Sequence, residues 1–178
     1  MRTHNDMKIF VYPHEILKTK AKPVNSIDGA LQSFIDEMIE LMYRAKGVGL
    51  AANQVGEAIR LFVMDVSGSD APPNPVVVIN PVITSTEGTE VAEEGCLSVP
   101  HFSAKLSRAA KVEVKGFDRN GKEISIEGDG LTARCLQHEI DHLDGICFVD
   151  RLSPLKRAMF RKKWPKILQR LEQEQENE

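Results

Sequence analysis

At 178 residues and 42% hydrophobic content, the chain has the size for one domain around one core and is too apolar for a disordered segment. A net charge of -3 and an aromatic fraction of 6%, with no basic patch interleaved with aromatics, argue against DNA as a partner. No run nears ~18 consecutive apolar residues, so no membrane span is expected; residues 1–10 lack a signal-peptide pattern, and an odd three cysteines suit a reduced, intracellular setting better than a disulfide framework.

Met7 is an alternative start, which would make residues 1–6 an N-terminal extension. Residues 28–46 place Leu31, Phe34, Ile35, Met38, Leu41 and Met42 at helical spacing, with Ser26 or Asp28 as N-cap and Gly47 as terminator. Residues 47–54 are small and glycine-punctuated. Residues 60–66 read as a strand, and residues 67–75, with three prolines, as a loop. Residues 76–79 form a buried strand ending at Asn80–Pro81. Residues 82–92 form a strand or hairpin turning near Glu87–Gly88. Residues 111–117 alternate as a strand, Asn120–Gly121 signals a hairpin, and residues 122–126 return.

Residues 131–143 carry no Gly or Pro and place Leu131, Cys135, His138 and His142 along one helix face, with Gly145 to end it. Ser153–Pro154 reads as an N-cap followed by proline at the first helical position. The helix that follows contains Pro165, which predicts a kink or break near Lys163. Residues 171–178 are an acidic tail expected to fray.

The chemistry concentrates in His138–Glu139–Ile140–Asp141–His142. On a helix, residues four apart share a face, so both imidazoles can reach one ion while Glu139 meets a water beside it. A catalytic metal site takes a third protein ligand. Cys96, in the segment Glu94–Gly95–Cys96–Leu97–Ser98, is the best candidate, the alternative being a small buried hydrophobe. Cys135 and Cys147 are read as buried, with Cys135 lining the site wall. The glycines of residues 47–54 suit either a helix end with a tight turn or the close approach of a ligand. The expected architecture is α+β: mixed or antiparallel strands around a central metal-binding helix, with an N-terminal and a C-terminal helix.

Together, the segments at 47–54, 94–98 and 138–142 resemble the peptide deformylase family, which carries Gly–apolar–Gly–apolar–Ala–Ala–x–Gln, Glu–Gly–Cys–apolar–Ser and His–Glu–apolar–Asp–His in that order. The resemblance covers residues 11–168. It implies a metal-dependent hydrolase that removes the formyl group from the N-terminal formyl-methionine of new polypeptides, within the cytoplasm. It further implies metal ligands Cys96, His138 and His142, with Glu139 moving the proton. The Gln54 side chain and the Leu97 backbone N–H would donate to the carbonyl oxygen. Gly49 would pair with the substrate backbone, and Val48, Leu131 and Cys135 would line a methionine slot. Arg134 would flank that slot with its aliphatic stem, its head in water; a plain solvated arginine is the other reading. Glu94 and Arg108 resemble a structural ion pair, and Asp141 a residue that holds a ligand or the helix in place; a plain surface or core-polar role is the other reading of Asp141.

One divalent ion is implied: Fe2+ in the cell, with Ni2+ or Co2+ as active substitutes and Zn2+ also suited to the donors. Where some bacterial members place a substrate-contacting arginine, this chain has Pro100–His101–Phe102–Ser103, with His101 at the rim of the site. The last helix carries Lys156, Arg157, Arg161, Lys162, Lys163, Lys166 and Arg170, which suggests either a solvated face or docking to the ribosome. Two rivals stand beside this reading. A zincin-type endopeptidase would need a downstream His or Glu ligand, and a structural metal site would need four protein ligands.

Overall fold

The computed structural model describes residues 6–178. Helices α1 (Gly29–Arg44), α2 (Gly130–Leu143) and α3 (Pro154–Glu176) accompany strands β1 (Gly49–Ala51), β2 (Leu61–Met64), β3 (Val76–Glu87), β4 (Glu90–Cys96), β5 (Val99–Arg108), β6 (Lys111–Phe117) and β7 (Glu123–Asp129). The architecture is α+β, as expected. Five strands form one antiparallel sheet in the order β1-β2-β3-β6-β7, and β4 and β5 form a separate two-stranded sheet.

The larger sheet lies between two helices, and strand alternation assigns its faces. Leu61 and Val63 of β2 pack with Ile35, Met38 and Met42 of α1. Phe62 and Met64 point the other way, toward Leu136, Ile140 and Leu143 of α2. All four residues of β2 are buried, which is why that segment reads as an unbroken apolar run. A third cluster joins β5 to the chain after α2 and to α3 through Val99, Leu106, Phe148, Phe160 and Trp164.

Asp28 caps α1, its side chain accepting from the Leu31 N–H. The far end differs from expectation. Lys46, not Gly47, takes the left-handed position (φ 58°). The Gly47 N–H donates to Met42 O and the Lys46 N–H to Tyr43 O, which together make a Schellman closure. Gly47 serves packing instead, because a Cβ there would lie 2.5 Å from Leu97 Cδ1.

The break expected at Asn80–Pro81 is a bulge within one strand, with Asn80 at φ 52° and its amide bonded to both backbone groups of Val24. The turn near Gly88 exists, but it connects two sheets rather than closing a hairpin, since β3 pairs with β6 and β4 with β5. Strand β5, which the sequence reading passed over, completes that second sheet.

Helix α3 continues through Pro165 as far as Glu176, so the chain does not break near Lys163. Pro165 is exposed, as is Arg161 one turn earlier, so the carbonyl that loses its partner can turn to water. Trp164 anchors the same turn, donating from Nε1 to Tyr12 O. The residue 1–6 extension lies outside the described residues apart from Asp6.

Candidate metal centre

The two histidines come from α2 and the cysteine from the end of β4. Cys96 Sγ lies 3.2 Å from His142 Nε2, which lies 3.2 Å from His138 Nε2. One donor atom from each of the three residues falls within 4.8 Å of the others, the only such group of three or more His, Cys, Asp or Glu among the described residues. His101 is not part of it; it sits exposed at the rim of the cleft with φ 63°. Cys135 also stays out of the donor set, buried in the cleft wall with its thiol toward Val48 O.

Gln54 reaches this centre from a short 3-10 turn, Ala52–Val55. Its Oε1 accepts from the Ala51 N–H, which leaves Nε2 to donate to Ser98 Oγ at 3.0 Å and to face Cys96 Sγ at 3.5 Å. The Ser98 N–H also points at that sulfur, at 3.4 Å. Gly49 runs close behind: a Cβ there would lie 2.6 Å from Glu139 Oε1 and 2.9 Å from Cys135 Sγ. Only glycine lets strand β1 approach the carboxylate this closely.

A cleft of about 480 Å³ opens onto the centre. Val48, Gly49, Gln54, Cys96, Leu97, Leu131, Arg134, Cys135, His138 and Glu139 all contribute to its lining, and His142, wholly buried behind them, joins them through its contacts with Cys96 and His138. Val48 and Leu131 present exposed apolar side chains there, at 44% and 54%.

Arg134 departs from expectation. Its head is not in water but buried, donating to Glu94 Oε1 at 3.1 Å and to the backbone carbonyls of Leu106 and Glu90, each at 3.0 Å. Burial of this arginine is possible because all three acceptors converge on one guanidinium.

Behind the donors runs a chain of alternating charges. Glu94 Oε2 lies 2.7 Å from His138 Nδ1 and receives Arg108 Nη2 at 2.6 Å. Arg108 also donates to Asp141, and Arg151 grips that same aspartate through Nε and Nη2. Glu94–Arg108 pairing and an Asp141 that braces the helix were expected; the part played by Arg151 was not. Arg151 lies in the turn after α2 and carried no motif. Ser98 was visible as the last residue of its motif, but its bond to Gln54 was not.

Burial raises the Glu94 carboxyl, and its bonds to His138 and Arg108 more than reverse that, holding it well below the usual carboxylate range. Burial pushes Glu139 up to about 7; His138 and Arg108 pull it down, while Glu94 pushes it up. Burial alone would lower His138, but its contacts with Cys96 and Glu94 hold it well above the usual imidazole range, while burial and the neighbouring His138 push His142 well below it.

The donors themselves fit a metal ion: one thiol and two imidazoles converge, with a nitrogen-orienting carboxylate behind one ring. Glu139 Oε2 is buried without a protein hydrogen-bond partner beside them, a costly arrangement unless something else meets it.

The polypeptide deformylase family model matches residues 6–158. A peptide deformylase of Thermodesulfovibrio yellowstonii is 56% identical over 158 residues, which is 89% of this chain and 96% of that protein. Among solved structures, a peptide deformylase from Legionella pneumophila superposes with a TM-score of 0.87 at 50% identity, covering 93% of this chain and 96% of that one. One from Synechococcus elongatus, in complex with actinonin, gives 0.83 at 40% identity over 90% and 86%. This chain belongs to the polypeptide deformylase family, metal-dependent hydrolases that remove the N-terminal formyl group from nascent peptides.

Proposed function

We propose that the whole chain works as one catalytic domain in the cytoplasm, with Cys96, His138 and His142 holding Fe2+ and Glu139 moving the proton. The convergence of those three donors beside a buried, unpartnered carboxylate oxygen carries the reading. Bound there, a divalent ion supplies Lewis acidity, polarising the formyl carbonyl and bringing the pKa of water toward ~7.

Glu139 takes a proton from the attacking water and delivers it to the departing amine. Burial disfavours the charged form of Glu139, which suits a carboxyl that takes up a proton and gives it back. The carbonyl oxygen gains negative charge as water adds. Gln54 Nε2, already held within 3.5 Å of Cys96 Sγ, and the Leu97 N–H donate to it. Losing one such donor typically costs about 10² to 10³ in rate. The Gly49 backbone pairs with the substrate amide, while Val48, Leu131 and Cys135 receive the methionine side chain. Arg134 flanks the slot without bringing its charge to the substrate, because its guanidinium is committed to Glu94 and two carbonyls.

Metal analysis of anaerobically purified protein, run alongside hydrolysis of a formyl-methionyl peptide, tests this. Iron at one per chain with full activity is expected. Full activity with zinc alone overturns the iron assignment, and cleavage of internal peptide bonds instead of the formyl amide points back to an endopeptidase. Glu139→Gln should keep the metal and lose about 10² to 10⁴ in kcat; full activity in that variant removes Glu139 from the mechanism.

The basic face of α3 is assigned to ribosome docking on the strength of its exposed Lys162, Lys163 and Lys166. Co-sedimentation with ribosomes that survives charge reversal at all three sinks that part alone.

A further inference from the structure

Residues 134, 138 and 142 lie four apart on α2, so Arg134 stands on the same stripe as both histidines, one turn before the first. Cys96 arrives from a different element, at the end of β4, and nothing local to the sequence fixes its distance from that stripe. We infer that Arg134 is a positioning residue for the metal centre: it fastens the β4–β5 sheet that carries Cys96 to the helix that carries His138 and His142, through the carboxylate of Glu94.

Three contacts support this. Arg134 donates to Glu90 O on β4 and to Leu106 O on β5, and so spans both strands of the two-stranded sheet. It also donates to Glu94 Oε1, two residues before Cys96. The other oxygen of Glu94 meets His138 Nδ1. The carboxylate is thus held at both oxygens, by Arg134 and Arg108 at Oε1 and by Arg108 and His138 at Oε2.

Both partners are almost fully out of water, with side chains 8% and 5% exposed. Arg108 makes the corresponding fastening lower on the helix, through Asp141. Arg134 fixes the upper half, next to the first histidine. A lysine carries the charge but not the planar fork that serves a carboxylate and two carbonyls together. Removing the fork leaves the Leu106 and Glu90 carbonyls without that donor and frees Glu94 to rotate, which releases the His138 ring.

The inference rests on the proposed ligand set, and the test separates the two. Co2+ is titrated into wild type, Arg134→Met and Arg134→Lys against a competing chelator. The visible absorption spectrum of each Co2+ form is recorded, and kcat and KM for a formyl-methionyl peptide are measured separately. If wild type binds no Co2+, the ligand set itself fails.

With wild type binding Co2+, Arg134→Met should bind it about 10- to 100-fold more weakly. It should also show a displaced Co2+ spectrum and a lower kcat, with KM within about two-fold; Arg134→Lys should recover part of each. Arg134→Met combined with Glu94→Gln should weaken Co2+ binding by less than the two single effects multiplied, because both act through one carboxylate.

A raised KM with unchanged Co2+ affinity and spectrum would return Arg134 to the substrate slot and overturn the inference. A lower melting temperature with metal affinity and spectrum intact would overturn it too, by leaving only a packing role. If far-UV circular dichroism shows Arg134→Met unfolded, Arg134→Lys decides by the same readings: wild-type affinity and spectrum defeat the inference, and a partial loss of both upholds it.

Discussion

Helices α2 and α3 make opposite use of the same secondary structure. Ten of the 14 residues of α2 are buried, among them Arg134, His138, Glu139, Asp141 and His142. Of the 23 residues of α3 only Phe160 and Trp164 are. In α2, Arg134, His138 and Asp141 meet partners brought from other elements, while Glu139 Oε2 and His142 Nδ1 are buried without a protein partner. In α3, two aromatic side chains attach an otherwise solvated rod. The burial of charge marks where function sits, and the burial of aromatics marks where attachment sits. Substitutions on the two helices should therefore fail in different ways.

The most damaging test strikes the charge chain behind α2. Arg108→Met leaves Glu94 and Asp141 buried with fewer cations, and losing one member of such a network costs about 3 to 5 kcal/mol. Denaturant unfolding should show that loss, and kcat should fall with it, since Glu94 orients His138.

On α3, Trp164→Ala should cost about 3 kcal/mol by cavity formation, yet kcat per folded molecule should stay at wild-type level. A fall in kcat there would collapse the contrast between the helices.

Acid provides the next test. Burial raises the Asp65 carboxyl, and bonds from Ser67, Tyr43 and the Asn74 backbone more than reverse that, so its folded pKa is depressed, as is that of Glu94. The stability each contributes is present above about pH 4, the unfolded carboxylate range, and is lost as pH falls through the folded value. Denaturant midpoints measured from pH 6 down to pH 2 should fall, and less steeply in Asp65→Asn. An equal slope in that variant removes Asp65 from the account.

The smallest change is expected from charge reversal at Lys162, Lys163 and Lys166. All three are exposed, so melting and activity on free peptides should shift within about 0.5 kcal/mol.

What the sequence revealed follows the same divide. The α2 segment was readable to within a residue because its periodicity is uninterrupted, and β6 because it alternates cleanly. The donors His138, His142 and Cys96 stood out by residue type and spacing. Strand β5 was missed although Phe102, Ala104 and Leu106 alternate, because Pro100 and the polar residues between them resemble a loop; a proline is tolerated near the start of a strand. Pro165 misled because the carbonyl it deprives of a partner belongs to Arg161, which is exposed to water, so the lost bond does not end the helix. The role of Arg134 was out of reach because its acceptors come from Glu90, Glu94 and Leu106, whose nearness to α2 exists only after the second sheet has formed.

Strand β1 lies at the margin of its sheet, hydrogen-bonded to β2 on one side, and the residues that bring it to the cleft are Gly47, Val48 and Gly49. Two of those three have no side chain to offer, so that wall is largely bare main chain. Amides and carbonyls in such a wall register a visiting peptide by its own backbone and are blind to which amino acids it carries. In the reaction proposed above, that indifference would leave discrimination to the slot formed by Val48, Leu131 and Cys135.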